Sequence, residues 1–102
     1  MAGIDRFASG GPWEARFGYS RAVRAGDIVL VAGTTAADEQ GVVRGVGDAA
    51  AQTAFALDRV AAALADAGAR MDQVVLTRMY VTDIGRAEEI GRAHGERFGE
   101  QP

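Results

Sequence analysis

The chain has 102 residues, 48% of them hydrophobic and 25% charged, with a net charge of −3; these are the proportions of a globular protein and the length of one domain, 1–102. Cysteine is absent, which excludes disulfides, a thiol nucleophile and a thiolate metal site, and all 11 basic residues are arginine, which excludes Schiff-base chemistry and a phosphate-loop lysine among these residues. The arginines are scattered singly and the apolar runs fall short of a membrane span, so no nucleic-acid stripe, membrane patch or signal peptide is visible and a cytoplasmic location is expected.

In chain order, residues 1–12 hold the turn formers Ser9-Gly10-Gly11-Pro12 and read as an arm or loop. From Glu14 to Arg24, Phe17, Tyr19 and Val23 share one parity, which predicts a strand; Ala25-Gly26-Asp27 then turns the chain. Ile28-Val29-Leu30-Val31-Ala32 is apolar on both parities, as in a strand covered on both faces by helices or by a partner subunit, and Gly33 ends it. Asp38-Glu39-Gln40-Gly41 is a second turn, Val42-Val43 a short strand, and Gly45 and Gly47 flank the approach to a helix.

Asp48 is the expected N-cap of that helix. From Ala49 to Ala67 the residues Ala50, Ala54, Leu57, Ala61 and Leu64 recur at three- and four-residue spacing, and Gly68 stands where a left-handed C-terminal cap belongs. Val74 to Val81 is rich in β-branched and aromatic residues and reads as a third good strand. Asp83 is a candidate N-cap, and Gly85 to Phe98 a second helix with Ala87, Ile90, Gly91, His94 and Phe98 on one face. This order makes an α+β sandwich with helices on one face of a mixed sheet. Phe98-Gly99 followed by Pro102 looks like the approach to another strand, so the chain is expected to be a fragment.

Few residues carry obvious chemistry. A single histidine, His94, makes no metal cluster with the helix-face carboxylates Glu88, Glu89 and Glu96, and no cofactor motif is present. On its apolar stripe His94 reads more plainly as a packed or interface residue than as a general acid or base. Ser9 and Ser20 lack a nucleophile-elbow pattern. Trp13, beside Glu14, is a candidate to cover the sheet edge, enter a subunit contact or touch a ligand. Arg78, mid-strand among apolar residues, must meet a carboxylate or reach solvent.

The first hairpin resembles the RidA/YjgF family, whose pattern is a G-P-Y-S-Q-A strand followed by a hydrophobic strand ending in S-G. Here it reads Gly18-Tyr19-Ser20-Arg21-Ala22, then Val31-Ala32-Gly33-Thr34-Thr35. The resemblance continues through Ala50-Ala51-Gln52 and Leu57, then Arg78-Met79-Tyr80-Val81-Thr82-Asp83, and spans nearly all of the chain. It implies a chorismate-mutase-like two-layer fold, here without its C-terminal strands, and a homotrimer with helices outside. It also implies interface clefts for a small-molecule ligand, a carboxylate by preference. Many relatives deaminate reactive enamines or imines of small 2-oxo acids.

Carried over residue by residue, the resemblance places Tyr19, Gly33 and Thr34 in the cleft and sets Gly91 where the family has an asparagine. The arginine that holds the substrate carboxylate in deaminating relatives, and a C-terminal glutamate, have no counterpart in these residues, so no catalytic residue is assigned. Two readings follow: an enamine or imine deaminase, and a trimeric ligand-binding or pathway-specific relative without that activity. Ribonuclease activity, an older idea for the family, ranks last on acidic charge and a single histidine.

Overall fold

The computed structural model describes residues 3–100. Met1, Ala2, Gln101 and Pro102 lie outside the described residues, and with them the end of the segment read as the approach to another strand. Strand β1 (Ile4–Phe7) occupies what was expected to be an arm, and pairs antiparallel with β2 (Ala22–Ala25). Its four residues hold no clear alternation, and only the neighbouring strand's edge gives them a ladder.

Helix α1 (Pro12–Phe17) replaces the first half of the strand predicted from Glu14. Proline at the first helical position is pre-set for helix, and Gly18, at φ 76°, closes the turn by sending its N–H to the Glu14 carbonyl at 2.9 Å. Trp13 and Phe17, four residues apart, stack with centroids 5.7 Å apart. That spacing was the overlooked helical signal, because the parity of Phe17, Tyr19 and Val23 competes with it. The strand is real only from Ala22.

β2 and β3 (Ile28–Val31) form the expected hairpin, with Ala22 opposite Val31 and Ala25 opposite Ile28. Gly26 takes φ 60° in the two-residue turn. The Asp38–Gly41 turn also forms, its carboxylate accepting the N–H groups of Gln40 and Val42 at 2.9 Å. Val42-Val43 is less than a strand, since only Val43 bridges, to Ala37.

Helix α2 (Ala49–Asp66) starts where Asp48 accepts the Ala51 N–H at 2.9 Å. It ends in a Schellman motif: Gly68, at φ 79°, donates to the Ala65 carbonyl and Ala69 to that of Leu64. Helix α3 (Ala87–Phe98) follows a single 3-10 turn, Ile84–Arg86, in which Asp83 accepts the Gly85 N–H as the sequence suggested. Leu57, Ala63 and Leu64 of α2 and Ile90, Ala93 and Phe98 of α3 are buried. Arg97 on α3 reaches Asp58 on α2 at 2.6 Å.

The ladder registers place Phe7, Ala22, Arg24, Val29 and Val31 on one sheet face and Ile4, Val23, Ile28 and Leu30 on the other. α2 covers the first face: Ala22 is wholly buried, and Arg24 Nη1 donates to the Ala67 carbonyl at 2.8 Å. The second face is open, with Ile28 and Leu30 each 62% exposed. The two-sided apolarity of β3 is thus matched by a helix on one face only.

The strand expected at Val74–Val81 does not form. A strand exists through its ladder, and no described strand lies alongside: from Val75 to Thr82 no backbone group bonds to another backbone group, and Val75 and Tyr80 stand 97% and 91% exposed. The paired sheet is therefore three-stranded and antiparallel among the described residues, in the order β1-β2-β3. Arg78 reaches solvent. Thr77 Oγ1 and His94 Nε2, 2.8 Å apart, tie this segment to α3, and the His94 ring lies 4.6 Å from that of Phe98, so His94 is a packed residue here.

Candidate functional site

The best-buried charges of the molecule sit side by side. Glu14, on the inner side of α1, and Arg21, one residue before β2, are 5% and 4% exposed. Glu14 Oε1 accepts the Ser9 N–H at 2.9 Å and Oε2 accepts the Ser9 hydroxyl. Arg21 Nε lies 3.8 Å from Glu14 Oε2, an ion-pair distance too long for a hydrogen bond, and is buried without a hydrogen-bond partner among the described residues. Its Nη1 donates to the Gly33 carbonyl and to Thr34 Oγ1, both at 2.7 Å, while the Thr34 hydroxyl donates to the Ala32 carbonyl at 2.8 Å. The guanidinium carbon also stands 5.5 Å from the Tyr19 ring centroid.

One guanidinium therefore gathers Tyr19, Gly33 and Thr34. Tyr19 and Gly33 line a cavity of about 230 Å³ between α1 and the chain leaving β3; its wall also includes Trp13, Arg21, Asp38 and Arg59. A second cavity of about 350 Å³ lies toward α2, where Phe7 and Phe55 meet Arg44. Arg21, Asp38 and Arg59 border both. Arg59 reaches over from α2 and donates to the Thr35 carbonyl at 3.1 Å.

The carboxylates here are held ionised. Burial pushes Glu14 up, but the Ser9 hydroxyl and N–H, the Arg21 charge and the Gly11 N–H together outweigh it and leave the group below its usual range. Asp38 is lowered first by the Val42 N–H, against desolvation, with help from Arg44 at 3.0 Å and the Gln40 N–H. Neither is a proton donor near neutral pH. Among the described residues no group of three or more His, Asp or Glu side chains is placed to hold a metal ion.

Gly91 is not brought to this place. It lies exposed on α3 and borders neither cavity. Trp13 lines the smaller cavity. Sequence reasoning missed Arg21 and Glu14 as partners. The available signal was local: Glu14 is the third helical residue after Gly11, the position from which a glutamate reaches back over a helix start. Arg21 also takes the place of the glutamine in the hairpin pattern, so its buried charge required a partner.

Comparison with known proteins gives relatives throughout this region. An uncharacterized protein of Streptomyces coelicolor is 41% identical over 95 residues, 93% of this chain and 70% of its own length. The 3-aminoacrylate deaminase RutC of Acinetobacter baylyi is 34% identical over 83 residues, 81% of this chain and 66% of its own length. The crystal structure of Rv2704 from Mycobacterium tuberculosis, a member of the YjgF/YER057c/UK114 family, superposes with a TM-score of 0.84 at 46% identity, covering 96% of this chain and 76% of that one. The chain thus spans about two thirds to three quarters of these proteins. Residues 12–102 match the model of the endoribonuclease L-PSP family. With that match, and with this superposition over nearly the whole chain, the chain belongs to the endoribonuclease L-PSP family, also called YjgF/RidA, and has its α+β fold.

Proposed function

We propose that the cavity bounded by Tyr19 and Gly33 is half of a ligand cleft in which a reactive enamine or imine of a small 2-oxo acid is hydrolysed. The observation that carries this reading is the convergence of Tyr19, Gly33 and Thr34 on Arg21, which fixes a strand end with backbone polar groups beside an aromatic ring. The relative named as a 3-aminoacrylate deaminase supports it. In such a reaction water adds to the C=N carbon and ammonia leaves; the residues here hold the substrate in one pose beside that water. The cleft is completed by a neighbouring subunit of a homotrimer, and the setting is cytoplasmic.

A second reading, a trimeric ligand-binding relative that does not deaminate, is favoured by one observation. Glu14 and Asp38, the carboxylates on the cavity wall, are both lowered and already engaged, which makes them weak bases. Incubation with 2-iminopropanoate or 2-iminobutanoate, generated in place, separates the two. Deamination gives ammonia release at least tenfold above the buffer rate; a rate equal to buffer establishes the second reading.

A further inference from the structure

The larger cavity, about 350 Å³, lies on the side of the sheet that α2 covers, and neither Tyr19 nor Gly33 lines it. Its floor is one face of α2, where Phe55, Arg59, Ala62, Ala63 and Asp66 recur at three- and four-residue spacing. Phe7 of β1 stands in the wall as well.

The charged side chains of this wall are Arg21, Arg44 and Arg59 against Asp38, Glu39 and Asp66. So balanced a wall selects neither an anion nor a cation, yet its charges are sorted by place. Arg44 answers Asp38 at 3.0 Å, and Glu14, behind the wall, answers Arg21 at 3.8 Å. Arg59, Glu39 and Asp66 form no ion pair with a described residue. Glu39 sits in the exposed aspartate turn. Arg59 donates to the Thr35 carbonyl at 3.1 Å, past the end of β3. Asp66, the last residue of α2, adjoins Ala67, whose carbonyl accepts Arg24 from the β2–β3 hairpin at 2.8 Å. Arg59 and Asp66 thus stand toward opposite ends of the strands, about 10 Å apart along the helix axis at 1.5 Å per residue. Asp66 also carries its charge where the last carbonyls of a helix already favour a cation.

We propose that this cavity binds a small linear zwitterion, an ω-amino carboxylate, with its carboxylate on Arg59 and its ammonium on Asp66. The methylene chain lies along Ala62 and Ala63, and Phe7 and Phe55 supply apolar wall. Each end of the ligand answers a charge that has no ion-pair partner among the described residues, and its zero net charge suits the balanced wall. A molecule with one charge leaves the other side chain unanswered. An α-amino acid, whose two charges share one carbon, does not span from Arg59 at Thr35 to Asp66. The site stands apart from the cleft at Tyr19 and does not depend on whether that cleft deaminates.

The test titrates the full chain by calorimetry with 6-aminohexanoate and with its single-charge counterparts, hexanoate and hexylamine, while amide NMR shifts are followed. The zwitterion is expected to bind saturably and about tenfold or more tighter than either counterpart, with shifts at Phe55, Ala62 and Ala63. Asp66→Asn should weaken it about tenfold while leaving hexanoate unchanged, and Arg59→Gln should weaken it about tenfold while leaving hexylamine unchanged. Asp66 is exposed, so its substitution spares the core, and exposed Arg70→Gln is the control that keeps wild-type affinity. A counterpart that binds as tightly as the zwitterion, no saturable binding, unchanged affinity in Asp66→Asn, or shifts confined to Tyr19 and Gly33–Thr35 overturns the site. Asp66 does not border the smaller cavity. Ammonia release therefore reads the cleft and Asp66-dependent binding reads this site, so the failure of either is seen without the other.

Discussion

At the scale of single residues, the buried pair of Glu14 and Arg21 sets both local stability and site geometry. Removing one member of such a pair leaves the other charge desolvated and unanswered, so Glu14→Gln is expected to cost about 2 kcal/mol at pH 7. The pH dependence has a definite sign. Glu14 titrates below its ordinary value of 4.5 when folded, so its contribution is complete above that value and is lost as pH falls through the lower folded-state pKa. Urea midpoints of wild type and Glu14→Gln should differ by a constant amount from pH 8 to about 5.5. They should converge below 4.5. A gap that persists undiminished to pH 2 would locate the effect in packing rather than charge.

At the scale of elements, α2 and α3 follow from their own sequences, while the extended segments depend on neighbours. Asp48 and Gly68 delimit α2 by capping chemistry that any chain would obey. Within α3, Gly91 meets nothing where a Cβ would stand, and its φ is not positive. Gly91→Ala should therefore raise stability by about 0.5–1 kcal/mol through lower backbone entropy, a rise of roughly 2–8 °C in Tm. Calorimetric melting checks this. If Gly91 also faces a ligand across an assembled cleft, the same substitution weakens ligand binding while the melting temperature rises.

At the scale of the whole molecule, the open face of the sheet and the unpaired run from Val75 to Val81 leave much apolar surface in water. Ile4, Ile28 and Leu30 on that face are each more than half exposed, and Leu76 and Tyr80 more so. A homotrimer that buries this face gives light scattering near three times the 10.6 kDa of one chain. Leu30→Lys then places a charge in the interface and is expected to shift the mass toward the monomer and lower Tm. A free surface would tolerate the change within about 0.5 kcal/mol and leave the mass as it was.

What the sequence determined by itself is what local physics decides: both main helices, α2 with its caps, the hairpin turn at Gly26 and the aspartate turn at Asp38; the family followed from resemblance. Tertiary structure alone decided the rest. Ile4–Phe7 is a strand because β2 offers it a ladder, and Val74–Val81, with better strand composition, is not one because no described neighbour does. For the Glu14–Arg21 pair the sequence offered local signals for each residue but did not name one as the other's partner. The two stand seven positions apart in sequence, and only the packing of α1 against the start of β2 turns two scattered charges into one buried site. Helix caps and turns close within a few residues, whereas ladders and buried ion pairs need a partner that sequence proximity does not name.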